Sequence, residues 1–350
     1  MLDKKLKEEN DSLSFLRLYF RGKDGHPDFI NDENLRNFRF PVKLLNSLWT
    51  SIGVPDLSWF YKDIDVFHSP HFSLPVMTGV KKILTVNDIT YLKHPEYFTE
   101  SERALNDYGY KTLLPVNIKR ADRIIAISQH TKNDMVEYFK IPEEKVSVVY
   151  IGCDSPCVMD GRELSGHLKE FGLDGIEYIY FPVGTFEPRK NMVRTIDAFN
   201  KTNPRPGRIK LVVSGVGDRN WLSGQSSTDD VIFVRWNSDE GRNALYQGAC
   251  FVVYPSLYEG FGMPVVESMG NGKAVLTSNS SSLREIADGY AHMVDPEDVD
   301  SISHGMDRIF KDIDYRGELE RKSRIRAGDF TWEKMAAQTY EVYRGILSPF

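Results

Sequence analysis

The chain has 350 residues, 41% of them hydrophobic, and a net charge of −6, which suits a globular protein with two domains of ordinary size. The acidic balance disfavours general nucleic-acid binding, because that function needs a basic surface. No apolar run approaches the roughly 20 residues needed to span a bilayer. Three cysteines make a poor disulfide framework and fit a reducing compartment, so we expect a cytoplasmic protein.

The first half of the chain alternates apolar, β-branched runs with helical stretches. Its strand-like runs are FLRLYFRG, DVFHSP, KKILTVND, DRIIAIS and KVSVVYIG, and HTKNDMVEYFK is one of its helical stretches. This alternation predicts a parallel sheet covered by helices on both faces. We therefore expect a first α/β domain over residues 1–152, followed by a loose linking segment at residues 154–175.

The second half repeats the same alternation. Its strand-like runs are YIYFPVG, KLVVSG, VIFVRW, CFVVYPS and KAVLTSN. The pattern predicts a second α/β domain over residues 174–330, with a closing helix in the tail at residues 331–350.

The most informative stretch is YPSLYEGFGMPVVE, residues 254–267. The apolar run before it predicts a buried parallel strand, and the glycine turn at residues 260–262 lets the backbone approach a ligand closely. Pro264 suits the first position of a helix, where its missing N–H costs nothing. The N-terminus of such a helix attracts an anion such as a phosphate. The alternative is a tight strand-to-helix connection without a ligand.

A second strand–turn–helix pattern, VGTFEPRKN at residues 183–191, places Arg189 and Lys190 side by side. Arg binds a pyrophosphate through its fork of N–H groups, and Lys adds a compact charge. An isolated basic pair is otherwise typical of a solvated turn. In open α/β sheets, however, ligands bind beyond the carboxyl ends of the strands, and both turns are predicted to lie there. The two patterns together favour a diphosphate site.

These signatures resemble those of family 4 glycosyltransferases, which are retaining enzymes of the GT-B fold. The resemblance is carried by GTFEPRKN, by LYQGACFVVYPSLYEGFGMPVVESMGNGKAVLTSNSSSLREIADG and by the tail FTWEKMAAQTYEVYRGIL. It continues, less completely, through VNDITYLKHPEYF, KRADRIIAISQHTKNDM and EKVSVVYIGCD. It implies two Rossmann-like α/β domains with a cleft between them, and a C-terminal helix that crosses back to the N-terminal domain.

The resemblance also implies the roles of individual residues. Arg189 and Lys190 would bind the diphosphate of the donor, Glu259 would lie beside the donor sugar, and Glu267 would hold the ribose. Arg189, Lys190 and Glu259 are therefore the expected catalytic residues. The expected substrate-binding residues are Asn87, Asp88, Ser128, Gly184, Thr185, Gly215, Val234, Arg235, Gly260, Phe261, Gly262, Met263, Pro264, Val265 and Glu267.

Some of these expectations concern strand ends. Gly215 and Gly217 would border the diphosphate, and the backbone at Val234 and Arg235 would meet the base. Ser128 and the turn after it resemble a segment that lines the family's cleft.

Two departures from the family pattern bear on catalysis. Relatives typically begin with a strand and a glycine-rich loop, whereas MLDKKLKEEN followed by FLRLYFRG resembles the end of the first helix, so we expect a truncated start or a domain without its first β–α unit. Many relatives carry His-Asp where this chain has Asn87 and Asp88. Asn87 forms hydrogen bonds but carries no charge. Both departures favour the alternative of a catalytically impaired sugar-nucleotide-binding protein or a non-catalytic partner in a complex.

The chemistry implied by the resemblance is the retaining transfer of a hexose from a nucleoside diphosphate sugar to an acceptor hydroxyl. The chain is closest in character to bacterial mannosyltransferases of surface polysaccharide synthesis, which suggests GDP-mannose as donor. A glycan or lipid-linked acceptor at the inner membrane face, with peripheral membrane contact, would fit. No metal cofactor is expected, because Arg and Lys neutralise the leaving diphosphate. A sugar-nucleotide epimerase of the same fold is a further alternative.

His68 and His71, in the stretch FHSPH after a predicted strand, form a separate candidate site. Metal binding, contact with a sugar and plain packing are all consistent with two nearby histidines. The sequence leaves these alternatives open.

Overall fold

The computed structural model describes residues 6–8, 14, 16–20, 35–38, 41–202, 209–216 and 229–347. The chain divides into two compact units. The described residues up to Pro95, together with Thr99–Tyr150 and those from Trp332 onward, form the first unit. Glu96–Phe98 and Ile151–Thr331 form the second. Apart from residues 6–8, the charged opening MLDKKLKEEN lies outside the described residues, as does Gly217.

The described residues of the first unit form two parallel sheets. One pairs β1 (Arg17–Phe20) with β2 (Leu35–Phe38), and the other has the order β3 (Val66–Ser69), β4 (Lys81–Val86), β5 (Arg123–Ala126) and β6 (Val146–Val148). Its helices before the second unit are α1 (Val42–Ser51), α2 (Thr90–Lys93), α3 (Glu100–Asp107), α4 (Leu114–Arg120) and α5 (Gln129–Phe139). The five strand-like runs of the first half and the predicted helix HTKNDMVEYFK are thus confirmed.

The central strands of the larger sheet have both faces covered. Ile83 and Leu84, which are neighbours on β4, are wholly buried, and so is Ile124 on β5. Because successive residues of a strand point to opposite faces, their joint burial requires cover on both sides of the sheet. This explains why these strands read as continuous apolar runs rather than as alternating patterns.

The second unit is built on one six-stranded parallel sheet. Its strands are β7 (Tyr178–Thr185), β8 (Lys210–Val216), β9 (Val231–Val234), β10 (Phe251–Tyr254), β11 (Val275–Ser278) and β12 (His292–Val294). Its helices are α6 (Gly161–Glu170), α7 (Met192–Thr202), α8 (Asp239–Gly248), α9 (Met263–Gly270), α10 (Ser281–Ala287), α11 (Val299–Lys311) and α12 (Ile313–Ala327). All five strand-like runs of the second half are confirmed, and β12 is a strand that the sequence analysis missed.

The order of these strands, β9-β8-β7-β10-β11-β12, reverses direction between β7 and β10. From β7 the chain builds outward to one side through β8 and β9, and it then builds to the other side from β10. At such a reversal the two connections leave in opposite directions, so a crevice opens beyond the carboxyl ends of the two strands. The place where β7 and β10 end is therefore the position at which open α/β sheets bind ligands.

The prediction of a loose linker at residues 154–175 was wrong. The segment contains the ten-residue helix α6, and the Asp160 carboxylate caps it by accepting hydrogen bonds from the first N–H groups. Leu168 and Leu173 are buried in the core of the second unit beside Tyr178. The Pro and Gly residues that suggested a linker lie mostly outside the helix, and its apolar contacts depend on residues distant in sequence.

The chain's last described helix, α13 (Trp332–Leu347), packs on the larger sheet of the first unit. Its apolar side chains, including Val342, cover Ile83 and Ile125. His68 on β3 contributes to the same contact, because its Nδ1 lies 2.7 Å from the Tyr343 hydroxyl.

His68 is thus a packing residue of the first unit. Its Nε2 lies 2.7 Å from Thr85 Oγ1, so both ring nitrogens have protein partners. Burial lowers the pKa of His68 from 6.5 to about 4. His71 stacks on Phe72 with ring centroids 3.6 Å apart. Within the described ranges, no group of three or more His, Cys, Asp or Glu residues could hold a metal ion.

None of the helices in the described part of the chain combines the length and the apolar content that crossing a membrane requires.

Candidate active site

Hydrogen bonds join the turn that follows β7 to the segment that follows β10. The turn itself, Pro188–Lys190, is one short 3₁₀ helix, and Asn191 ends it in a left-handed conformation with φ of 61°. The Asn191 amide donates a hydrogen bond to the Pro255 carbonyl at 2.9 Å, and the Arg189 carbonyl accepts one from the Leu257 N–H at 2.8 Å. These contacts bring the basic pair against the start of the glutamate-bearing turn.

The carboxylate of Glu259 is the centre of the resulting cluster. Its Oε1 accepts hydrogen bonds from Lys190 Nζ at 2.7 Å, from the Tyr254 hydroxyl at 2.8 Å and from Ser256 Oγ at 2.7 Å. Its Oε2 accepts one from Arg189 Nη1 at 2.8 Å. Glu259 is only 7% exposed. The two residues predicted to bind the diphosphate and the one predicted to lie beside the sugar therefore meet in a single site.

This arrangement limits what Glu259 can do chemically. Burial by itself raises the pKa of Glu259, but the charges of Lys190 and Arg189 outweigh burial and lower the pKa to about 2. The group is therefore ionised at neutral pH and has no proton to donate. It accepts four hydrogen bonds, three at Oε1 and one at Oε2. As arranged, Glu259 is a buried anion that holds two cations.

The basic pair is electrically balanced by two carboxylates. Arg189 Nε donates to Glu187 Oε2 at 2.6 Å, while Nη1 also donates to the Tyr258 carbonyl at 3.2 Å. The cluster of Glu187, Arg189, Lys190 and Glu259 thus has two formal positive and two formal negative charges. Glu187 was not predicted as a site residue, although it precedes Arg189 by only two residues.

Lys190 is more deeply enclosed than the sequence suggests. It is 7% exposed, and its Nζ lies 2.7 Å from the Tyr254 hydroxyl and 5.4 Å from the centre of the Tyr254 ring. An ammonium group has three N–H donors, and among the described residues Tyr254 and Glu259 are its two hydrogen-bond partners. The third donor has no hydrogen-bond partner among the described residues. Tyr254 was not predicted as a site residue, although it opens the YPSLYEGFG stretch.

The glycine turn between Glu259 and α9 has a strict backbone requirement. Gly262 adopts φ of 104°, and a Cβ built there would lie 2.5 Å from Leu283 Cδ2. Ser282 Oγ holds the turn by donating to the Glu259 and Phe261 carbonyls at 2.8 and 3.0 Å. These contacts fix where α9 begins.

Not every residue of that turn is placed as predicted. α9 begins at Met263, so Pro264 is its second residue and not its first. The missing N–H is harmless at the second position too, because the first four N–H groups of a helix have no partner within it. Met263 is partly buried, whereas Val265 is wholly buried and its N–H donates to the Gly262 carbonyl. Val265 is therefore a core residue, and its predicted contact with a substrate is not supported. Gly260 and Phe261 are also buried.

Glu267 is the fifth of the eight residues of α9 and is held by residues of α8. Its Oε2 accepts a hydrogen bond from the Tyr246 hydroxyl at 2.7 Å, and its Oε1 lies 3.4 Å from Arg242 Nη1. Burial raises the pKa of Glu267, in contrast to the lowered pKa of Glu259. Tyr246 is almost wholly buried and so fixes the direction of the carboxylate. The ribose role of Glu267 stays a prediction.

The other predicted residues of the second unit lie at the same edge of the sheet. Gly184 and Thr185 are exposed at the end of β7, and Gly215 lies near the end of β8. Val234 is the last residue of β9, and the exposed Arg235 follows it. All five are thus at carboxyl ends of strands, as predicted, and their contacts with a donor stay predictions.

The three predicted residues of the first unit lie at the ends of β4 and β5. Asn87 is exposed, and the Asp88 carboxylate accepts a hydrogen bond from the Thr90 N–H at 2.9 Å. Ser128 is wholly buried, and its hydroxyl caps α5 by accepting a hydrogen bond from the Thr131 N–H at 3.0 Å. A substrate contact by the Ser128 hydroxyl is therefore not supported, because that group is enclosed.

Comparison with known families agrees with the geometry of both units. Residues 16–155 match the family described as Glycosyltransferase Family 4, and residues 167–326 match the family described as Glycosyl transferases group 1. The chain belongs to these glycosyltransferases. The second match includes both Arg189 and Glu259.

Two curated relatives are mannosyltransferases of Escherichia coli. The O-antigen chain mannosyltransferase B is 29% identical to this glycosyltransferase over 293 residues, which cover 81% of the chain and 75% of the relative. The serotype-specific mannosyltransferase WbdA is 30% identical over 261 residues, which cover 70% of the chain but only 32% of that longer relative.

A solved structure confirms the fold. Sucrose-phosphate synthase from Thermosynechococcus elongatus superposes with a TM-score of 0.74 at 18% identity, covering 99% of this chain and 91% of the synthase. The glycosyltransferase therefore has the predicted GT-B fold, with two α/β domains that each contain a parallel sheet.

Proposed function

We propose that this glycosyltransferase moves a mannosyl residue from GDP-mannose to a hydroxyl group of a glycan or lipid-linked acceptor, with retention at the anomeric carbon. The observation that carries the proposal is the meeting of Arg189, Lys190 and Glu259 where the strand order reverses. The choice of mannose is supported by the names of the two E. coli relatives. Peripheral contact with the inner membrane face would bring the chain to a lipid-linked acceptor.

The basic pair would act on the leaving group. As the bond between the sugar and the diphosphate breaks, negative charge grows on the phosphate, and charges that are already in place stabilise it most. Lys190 would donate its third N–H to a phosphate oxygen, and Arg189 would bind the phosphate through its guanidinium. The N-terminus of α9, which is close in sequence to Glu259, would add its partial positive charge. No metal ion is required in this scheme, because the two cations neutralise the diphosphate.

The hydrogen bonds of Glu259 support a mechanism in which the acceptor enters and the diphosphate leaves on the same face of the sugar. A mechanism with a covalent sugar–enzyme intermediate requires a carboxylate that is free to attack the sugar. The Glu259 carboxylate is instead engaged by four donors. In the proposed mechanism the acceptor hydroxyl therefore attacks the face that the diphosphate leaves, and the departing phosphate takes the acceptor's proton.

The first test identifies the donor and the stereochemistry. Thermal unfolding of the full chain is followed with GDP, UDP and ADP, since a ligand at a hundred times its dissociation constant adds about 2.7 kcal/mol of stability. We expect the largest shift with GDP, and an α-linked product from GDP-α-mannose by NMR. A β-linked product would rule out retention. Binding without any turnover would instead support a catalytically impaired protein, the alternative that Asn87 favours.

The second test addresses the basic pair. Arg189→Ala and Lys190→Ala should each lower kcat at least 100-fold, since one such charged donor contributes about 3 kcal/mol to stabilising a transition state. Lys201→Ala is the matched control, because Lys201 lies on the surface of α7 in an ion pair with Asp300. Activity of either site variant within a few-fold of the wild type would refute the assignment to the diphosphate.

The third test addresses Glu267. Glu267→Gln should raise the KM for the donor while changing kcat less, because its proposed role is to hold the ribose in the ground state and the transition state alike. An unchanged affinity for GDP would exclude that role.

A further inference from the structure

We propose that Glu187 acts as a fixed counter-charge that weakens the grip of Arg189 on the departing nucleoside diphosphate and so favours product release. This inference rests on the proposed function, in which Arg189 binds the diphosphate. According to this inference, Glu187 sets how tightly the site binds the product relative to the donor.

Glu187 is rigidly placed for this role. It lies between the end of β7 and the Pro188–Lys190 turn, where its N–H donates to the Thr185 carbonyl at 2.9 Å and its own carbonyl accepts from the Lys190 N–H at 3.0 Å. Its side chain is 21% exposed and that of Arg189 is 16% exposed. The 2.6 Å ion pair between them is therefore partly shielded from water, which strengthens it relative to a surface pair.

The geometry favours a role in charge rather than in orientation. Two acceptors other than Glu187, namely Glu259 Oε2 at 2.8 Å and the Tyr258 carbonyl at 3.2 Å, hold Arg189 through Nη1. Because both N–H groups of Nη1 lie in the guanidinium plane, two acceptors on this nitrogen give the group a defined direction without a third. The distinctive contribution of Glu187 is thus a negative charge beside the phosphate-binding cation.

That charge discriminates between donor and product. The diphosphate of a sugar nucleotide carries two negative charges, and the released nucleoside diphosphate gains about one more from its terminal phosphate. Repulsion by a fixed carboxylate is proportional to the charge it meets. Glu187 therefore disfavours the product more than the donor, and Glu259 already ensures that the two cations remain in place when the product leaves.

The test uses the full chain and the variant Glu187→Gln, which keeps a hydrogen-bond acceptor beside Arg189 Nε and removes only the charge. Calorimetric titration with GDP, with UDP titrated in parallel, should show about tenfold tighter binding of the diphosphate, equivalent to about 1.4 kcal/mol. Binding of GDP-mannose, whose diphosphate has about two thirds of that charge, should tighten less, by about fivefold. Inhibition of steady-state transfer by GDP should strengthen in parallel with the titration.

Two further variants serve as controls. Glu187→Asp keeps the charge, so its affinity for GDP should stay within about threefold of the wild type. Glu318→Gln makes the same change of net charge in the second unit at a surface pair with Lys322 and should leave the affinity unchanged. Thermal unfolding of each variant, without nucleotide, verifies that it folds.

The outcomes are distinct. If Glu187→Gln binds GDP as the wild type does, or more weakly, Glu187 orients Arg189 or is neutral, and the inference is overturned while the proposed function stands. If neither the wild type nor any variant binds GDP or UDP, both the proposed function and the inference about Glu187 are refuted.

Discussion

At the scale of single residues, the site depends on how Glu259 and its neighbours share charge. A buried carboxylate without partners would destabilise the folded state, and the two cations would do the same without Glu259. The three groups therefore stabilise one another, with Tyr254 and Ser256 completing the set of donors. A site of this kind is assembled before any substrate arrives, which is the condition under which charges contribute most to catalysis.

The lowered pKa of Glu259 predicts how stability depends on pH. Since the folded-state pKa is about 2 and the ordinary value is 4.5, the stabilisation is complete above about pH 4.5 and is lost as the pH falls toward 2. The free energy involved is about 3 kcal/mol. Urea unfolding of the wild type and of Glu259→Gln should show a stability difference that is largest at neutral pH and shrinks over this range.

Glu267→Gln is the matched control for this prediction. Burial raises the pKa of Glu267, so the ionised Glu267 carboxylate lowers the stability of the folded state. The stability of Glu267→Gln relative to the wild type should therefore increase as the pH rises above 4.5. Parallel pH profiles for the wild type and Glu259→Gln would contradict the assignment of a strongly lowered pKa to Glu259.

At the scale of secondary structure, the site consists of two strand–turn–helix units placed side by side. β7 leads through the basic turn into α7, and β10 leads through the glycine turn into α9. The turns are joined by contacts such as the backbone hydrogen bond from the Leu257 N–H to the Arg189 carbonyl, so the position of one determines the position of the other. A change in the backbone of either turn is therefore expected to disturb the whole cluster.

Gly262→Ala tests this dependence. At φ of 104° an alanine is strained, and its Cβ would overlap the wholly buried Leu283 side chain. We expect a loss of about 2–3 kcal/mol in the free energy of unfolding and weaker binding of nucleoside diphosphate.

Gly289→Ala provides the comparison, because Gly289 has φ of 79° and no atom within 4 Å of its would-be Cβ. Its cost should be about 1 kcal/mol, which is the strain alone. Equal losses for Gly262→Ala and Gly289→Ala in urea unfolding would show that the contact with Leu283 does not matter.

At the scale of the whole molecule, each unit is an α/β body with its own parallel sheet and its own core. After Ile151–Thr331 the chain returns to the first unit with α13, which covers Ile83, Ile125 and Val149. His68 and Tyr343 add a hydrogen bond to this apolar contact. The stability of the first unit therefore depends on contacts between residues that are far apart in the sequence.

A second pH dependence follows from this contact. Burial lowers the pKa of His68 from 6.5 to about 4, so stability is complete above about pH 6.5 and is lost as the pH falls toward 4. The wild type should lose about 2–3 kcal/mol more than His68→Gln over this range in urea unfolding. Tyr343→Phe should lower stability by about 1 kcal/mol through the lost hydrogen bond but keep the pH dependence, because burial causes it. An identical pH profile for the wild type and His68→Gln would contradict the prediction.

The sequence by itself determined the succession of strands, turns and helices, because the signals for these elements are local. The apolar runs, the glycine turn and the adjacent Arg189 and Lys190 are each contained within a few residues. The identities of the main charged residues were likewise readable, since Glu259 lies on the turn that follows the strong strand β10. The helix α6 was missed because its apolar contacts come from residues far away in the chain.

Only the tertiary structure decided how these parts function together. Arg189 and Glu259 are 70 positions apart, so their 2.8 Å contact depends on the reversal of strand order between β7 and β10. The same folding buries Ser128 and Val265 and neutralises the basic pair with Glu187 and Glu259. Burial and pairing are properties of the packed chain, because they arise from groups that a linear pattern does not place near one another.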